Sequence, residues 1–205
     1  YFGFGGVLAS KISETTSTQV TAITSGGSQA NIEAMDMGDA QLGFVQTDVG
    51  AYAYNGERLF ENNKIDNFST VANLYMEQVQ IVTLNPDIKS VADLKGKAVS
   101  VGAAGSGVFY NAVDVLGAYG LDVDADISAT YQSFGDSTEA LQDGKIDAAF
   151  VVAGAPTTAV TSLSATKPVY LVSLDDEHID ALIAASPYYS KNVIAKDVYN
   201  TPEDV

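Results

Sequence analysis

A chain of 205 residues with 46% hydrophobic side chains is long enough for one large domain or two small lobes with real cores. Its formal charge of −16, with Arg58 as the single arginine, leaves no basic patch and excludes nucleic acid as a partner. Without cysteine there is no disulfide framework and no thiol catalyst, and no apolar run is long enough to span a bilayer.

The opening, Tyr1–Gly6 (YFGFGG), carries no basic segment followed by an apolar stretch, so a signal segment is absent or already removed. Gly5 and Gly6 form a glycine loop before a short helix carrying Val7, Leu8 and Ile12. Val20–Thr24 alternates as a strand, and Ser25-Gly26-Gly27-Ser28 opens a helix with Ile32, Met35 and Met37 that stops at Gly38. Gln41–Gln46 reads as a buried strand, with Thr47 and Asp48 capping a helix over Val49–Tyr54. Ser69–Leu84 is the longest strand-like region, interrupted at Tyr75–Gln78 and ended by Asn85-Pro86. Ser90 and Asp93 stand at capping-box spacing in one helical turn.

Next comes Ala98–Leu116: a β-branched run, a Gly102–Gly107 loop (GAAGSG), then apolar residues Phe109, Val113 and Leu116 at helical spacing. Beyond it the pattern predicts a strand over Ile127–Ser133, a helix over Asp136–Asp143 stopped by Gly144, and a buried strand over Ile146–Val152. Gly154-Ala155-Pro156 leads to a helix ending near Leu163, followed by a strand over Pro168–Leu174 and a helix over Asp176–Ala185. This alternation signals an α/β class with largely parallel sheets. An internal echo supports two similar units: Thr24–Gln46 laid over Thr130–Val152 matches Thr24/Thr130, Glu33/Glu139, Ala34/Ala140, Gly38/Gly144, Phe44/Phe150 and Val45/Val151.

No catalytic set is legible. Gly102–Gly107 is GxxGxG, which fits neither the dinucleotide nor the phosphate-loop fingerprint. The lone histidine, His178, follows Asp175-Asp176-Glu177 at a helix start, where acidic residues complement the dipole. Asp122, Asp124 and Asp126 are spaced like the opening of a calcium loop. Ile127 and Ser133 replace its glycine and bidentate glutamate, so a solvated acidic turn is the reading and no metal or cofactor is expected.

What recurs is a glycine or polar loop at each strand end: Ser25–Ser28, Gln46–Asp48, Tyr75–Gln78, Gly105–Gly107, Gln132-Ser133 and Gly154–Pro156. Ligands of parallel α/β sheets sit beyond the carboxyl ends of strands, and a helix N-terminus presents free amides to an anion. The alternative, that these glycines serve only the turns, stays open at this point.

In combination the segments Ser25–Asn31, Gly38–Gly56, Ser90–Gly107, Asp143–Thr157 and Leu171–Asp176 resemble a TAXI-type solute receptor of TRAP transporters, in the periplasmic-binding-protein superfamily. The resemblance implies a two-lobed type II fold with mixed, mostly parallel sheets and flanking helices. Residues 1–94 would be the first lobe, 95–196 the second, and 197–205 the start of a crossover back to the first. It implies a chain truncated at both ends, with Gly3 standing where proline is usual. The function implied is capture of a small organic carboxylate, such as glutamate or 2-oxoglutarate, without catalysis. The partners would be the membrane permease subunits, and the location extracytoplasmic, periplasmic or lipid-anchored.

Carried over residue by residue, the ligand contacts would be Ser25, Gly26, Gly27, Ser28 and Asn31, then Gln46, Asp48 and Tyr75, then Gly105, Ser106 and Gly107, and finally Gly154, Ala155 and Pro156. For Tyr75 a packing role at the hinge, and for Asp48 a helix cap alone, are the competing readings. The other functional class compatible with the fold is a ligand-sensing domain of a regulatory protein.

Overall fold

A computed structural model describes residues 2–205, with the side chain of Phe2 excepted. Tyr1, the first residue of the expected glycine loop, lies outside them. Three helices come first: α1 (Phe2–Thr15), α2 (Ser28–Asp36) and α3 (Thr47–Asn55), with a 3-10 turn at Arg58–Phe60. Then follow β1 (Gln78–Thr83), β2 (Ala98–Ser100), α4 (Val108–Ala118), β3 (Ser128–Thr130), α5 (Phe134–Gln142), β4 (Ala148–Ala153), α6 (Thr158–Ser164), β5 (Tyr170–Leu171) and α7 (Asp176–Ala185).

The strands form one sheet in the order β3-β2-β4-β1-β5. β2 runs parallel to β3 and β4, whereas β1 is antiparallel to β4 and β5, so the sheet is mixed in equal parts rather than mostly parallel. β4 is buried almost throughout, because successive side chains point to opposite faces and both faces are covered. Phe150 and Val152 join Ile81, Val99, Val108, Ala112, Val115 and Leu116 on the α4 side. Ala149 and Val151 join Val82, Leu141, Val160 and Leu163 under α5 and α6. On α4 the buried face runs through Val108, Ala112 and Val115, while Phe109 and Val113, expected inside, are only partly covered.

Residues 2–77 depart further from expectation. Val20–Thr24, Gln41–Gln46 and residues 69–77 form no strand among the described residues; only the end of the long predicted strand joins the sheet, as β1. Alternation marks a segment that suits a sheet, but a ladder also requires a neighbour to hydrogen-bond. The glycine loop expected at Gly5-Gly6 is instead helical. A Cβ on Gly5 would lie 3.0 Å from the Phe44 ring, which also meets Phe4 edge-on at 5.9 Å, so glycine lets α1 seat against that ring. This part has its own core of Ile32, Val49, Tyr52, Ala53, Phe60 and Ile65, and Tyr110 of α4 is buried in it. Residues 197–205, expected to start a return toward the first lobe, lie against the sheet. Tyr199 is buried under α6, and Ile194 and Val205 exchange backbone hydrogen bonds.

The local punctuation follows the sequence. Gly38 and Gly144 take the positive φ that stops α2 and α5, and Ser90 with Asp93 forms a capping box. At the acidic turn, Asp122 Oδ1 accepts the amides of Asp124 and Ala125, Asp126 Oδ2 accepts that of Asp122, and Lys95 lies 3.0 Å from Asp126. These carboxylates therefore close their own turn.

Asp175 caps α7, accepting the His178 amide at 3.1 Å and lying 2.7 Å from its Nδ1, while the His178 ring stacks on Tyr119 at 3.6 Å. The His178 side chain, and after it the His178 amide, pull the Asp175 carboxyl down to about 2. A folded-state value below the unfolded one, about 3.9, contributes stability above pH ~4 that is lost as pH falls through 2. Asp175→Asn keeps a good cap and removes the charge. It should therefore lower the melting temperature at pH 7 and flatten the acid limb of the stability profile. An unaltered acid limb would assign that titration to other carboxylates.

Candidate functional site

Among the strand-end loops marked out in the sequence, the structure brings Ser25–Ser28 and Gly105–Gly107 backbone to backbone. Ser25–Ser28 at the start of α2 lies against Ala104–Gly107 at the start of α4. The Ala30 amide, in the first turn of α2, donates to the Gly105 carbonyl at 3.2 Å. A Cβ on Gly26 would lie 2.2 Å from the Ala104 carbonyl oxygen, and one on Gly27, whose φ is +134°, would lie 2.9 Å from Ser106 Cα. Glycine is required here for backbone approach, in addition to the turn. Ser106 is buried, and its Oγ has no hydrogen-bond partner among the described residues.

Gln46 sits over the start of α4. A Cβ on Gly107 would fall 2.0 Å from Gln46 Oε1, and the Gln46 amide donates to Ser28 Oγ at 3.0 Å. Asn31 Nδ2 donates to the Phe44 carbonyl at 2.7 Å, which fixes the chain that carries Gln46. Asp48 is buried at the first turn of α3, where Oδ1 accepts the Val49 amide and Oδ2 accepts from Asn111 Nδ2. Burial pushes its carboxyl above the usual range, and these two hydrogen bonds only partly oppose that.

Gly154, Ala155 and Pro156 stand apart, after β4, near Tyr75. A Cβ on Gly154 would lie 4.0 Å from the Tyr75 ring, and the Ala155 amide donates to Gln78 Oε1 at 2.8 Å. Tyr75 is largely exposed, with its phenol shifted upward by partial burial and then by Glu77, and its ring meets Phe4 edge-on at 6.2 Å. The fourteen anticipated residues thus divide into one tight cluster at the α2 and α4 starts, with Gln46 and Asp48, and a second group at Tyr75 and Gly154–Pro156.

Sequence reasoning missed the side chains that hold these groups. Asn111, buried on α4, donates to Asp48 and to Tyr189 Oη and accepts from Gln46 Nε2 at 2.7 Å. Its signal was available: an asparagine on the Val108–Ala112–Val115 face of an apolar helix is a buried polar group in need of partners. Gln80, also buried, donates to Thr157 and to the Ala153 carbonyl and accepts from Tyr199 Oη, bracing the Gly154–Pro156 turn. Tyr199 lies 119 residues from Gln80, so no local pattern could have paired them.

The fold is shared with solved binding proteins. The alkanesulfonate-binding protein SsuA from Xanthomonas axonopodis pv. citri, bound to MOPS, overlays with a TM-score of 0.54 at 21% identity, covering 82% of this chain and 56% of that one. An ancestral arginine-binding protein bound to glutamine overlays with a TM-score of 0.51, also at 21% identity, covering 82% of this chain and 66% of that one. Both are binding proteins by name rather than enzymes. The sequence itself belongs to the NMT1-like family, which it matches over residues 1–205. The chain spans about half the length of the sulfonate-binding proteins it overlays, 53% for the one from Escherichia coli.

Proposed function

We propose that this chain belongs to an extracytoplasmic receptor that captures a small organic anion between two units, hands it to membrane permease subunits and transforms nothing. The observation that carries the reading is the meeting of two Gly/Ser helix starts, α2 and α4, around the buried and unpartnered Ser106 hydroxyl. Helix N-termini favour negative charge, and a carboxylate entering there would replace the Gly105 carbonyl as acceptor for the Ala30 amide. In this proposal the first unit comprises the residues before β1. We set its boundary near residue 77 rather than at Leu94, a choice supported by the pairing of β1 with β4.

The finer reading, a TAXI-type receptor of a TRAP transporter taking glutamate or 2-oxoglutarate, rests on the sequence motifs. A second reading, capture of a sulfonate or of an amino acid such as arginine, is favoured by the names of the overlaid proteins. Among the described residues no helix is long and apolar enough to cross a membrane. Calorimetry with glutamate, 2-oxoglutarate, an alkanesulfonate and arginine separates the two readings. Binding of glutamate or 2-oxoglutarate with silence from the alkanesulfonate and arginine supports the first, and the reverse supports the second. Binding of uncharged compounds alone would overturn the anion assignment. Ser106→Pro should weaken the bound anion by more than about 1.5 kcal/mol, the worth of a charge-assisted hydrogen bond. Unchanged affinity would reduce Gly105–Gly107 to a turn.

A further inference from the structure

Where α4 packs on α7, the facing side chains are small. Ala118 on α4 and Ala181 and Ala185 on α7 line a cavity of about 280 Å³, and the buried Leu182 lines it too. Ala181 and Ala185 are one helical turn apart and so share a face of α7. The cavity is remote from the Gly/Ser loops: Ser106 precedes the first turn of α4, and the rise from Val108 to Ala118 is about 15 Å.

The polar groups on its wall suit a positive charge. Asp114 lines it with 12% of its side chain exposed; Oδ1 accepts from Arg58 at 2.6 Å and Oδ2 from Tyr189 Oη at 2.8 Å. A carboxylate can accept about four hydrogen bonds, so about two positions on Asp114 remain. Arg58 also borders the cavity, but its guanidinium is paired with Asp114 and stands 4.7 Å from the Tyr52 ring centre, so its charge is met within the wall. The last turn of α7 carries no basic residue, and its carbonyls bring the negative end of the helix dipole to Ala185 and Ser186. Ser186 Oγ is a further acceptor on the wall, and the net charge of −16 adds a field of the same sign.

We propose that this cavity is a second binding site, separate from the loops, for a small amphiphilic cation. A primary ammonium would take Asp114 and Ser186 as acceptors, and a short aliphatic body would lie against Ala118, Ala181, Leu182 and Ala185. The volume is at the small end for a ligand pocket, roughly 300–1,000 Å³, and suits a tail of about five carbons. A carboxylate of the same length would meet Asp114 and the α7 carbonyls as like charges. The site stands whatever the loops at α2 and α4 bind.

Amide chemical shifts of the whole chain, titrated with n-pentylammonium chloride at about 150 mM salt, read this site directly. Saturable shifts should centre on Ala118, Ala181, Leu182 and Ala185. Pentanoate should produce none there, and 1-pentanol should bind roughly 10-fold or more weakly, because it lacks charge-assisted hydrogen bonds. Ala185→Leu, at an exposed position, fills the cavity without changing the charge, and should abolish the saturable shifts with circular dichroism unaltered. Ala181→Leu, also exposed, does the same should that variant not fold. Asp114→Asn should weaken pentylammonium roughly 10-fold; if it fails to fold, the three probes and the leucine variants decide. Pentylammonium binding undiminished in a folded leucine variant would be adventitious attraction to the acidic surface and would overturn the site. So would the absence of saturable shifts, or pentanoate or pentanol binding as tightly as pentylammonium.

Discussion

Gly26→Ala should prise apart the starts of α2 and α4. The added carbon would stand 2.2 Å from the Ala104 carbonyl oxygen, which belongs to the backbone and cannot swing aside as a side-chain tip can. Overpacking of this kind costs about 1–3 kcal/mol, and here the cheapest relief is separation of the two loops. The Ala30 amide would lose Gly105 as its acceptor, so hydrogen exchange at Ala30 should accelerate by roughly 10-fold or more, since each 1.4 kcal/mol is a factor of ten. Amides within β4 should keep their protection. Unchanged exchange at Ala30 together with an unchanged melting temperature would mean that the loops do not touch in solution. Gly107→Ala makes a useful contrast. The atoms in its way are the end of the Gln46 side chain, which can rotate, so its stability effect should be the smaller of the two.

Phe150→Ala should produce the largest loss of stability, about 3–5 kcal/mol, the range for removing a fully buried phenylalanine. Phe150 has no exposed surface, lies at the centre of β4, pairs in register with Ile81 and contributes to the core under α4. The cavity would open beneath the helix that presents Ser106. Equilibrium urea unfolding should therefore show a lower midpoint with an unchanged slope. A loss under ~1 kcal/mol would show that α4 can settle into the space, as collapsible sites do. Leu163 serves as a control on the opposite face: Leu163→Ala should destabilise by about 2–5 kcal/mol, with less effect on amide protection in α4.

Much of the second unit is legible because its signals are local. Ile146–Val152 reads as a buried strand, where β4 forms over Ala148–Ala153, and the stop of α5 at Gly144 follows from glycine's access to positive φ. The start of α4 at Val108, directly after the Gly105–Gly107 loop, is equally plain. The first unit is less legible. Val20–Thr24 has a strand's alternation and Gln41–Gln46 the compact apolar centre of a buried strand, yet pairing is a property of two segments, and a pattern in one cannot supply the other. Gly5 and Gly6 suggest a loop because glycine disfavours helices by about 1 kcal/mol relative to alanine, but the Phe44 ring against Gly5 makes the small residue fit.

By itself the sequence determined the α/β class, the acidic character of the chain, the helix starts at Ser28 and Val108, and the positions of the glycine loops. Each of these depends on residues within about one element of one another, where backbone preference and periodicity act. Only the tertiary structure decided that Ser25–Ser28 and Ala104–Gly107 touch, that Gly154–Pro156 stands apart with Tyr75, and that Asn111 gathers Gln46, Asp48 and Tyr189. Those contacts join residues 63 to 79 positions apart, as between Asn111 and Asp48 or Gly27 and Ser106. Hydrogen bonds at that range form because burial leaves each polar group needing a partner, and which partner arrives is set by how the helices pack.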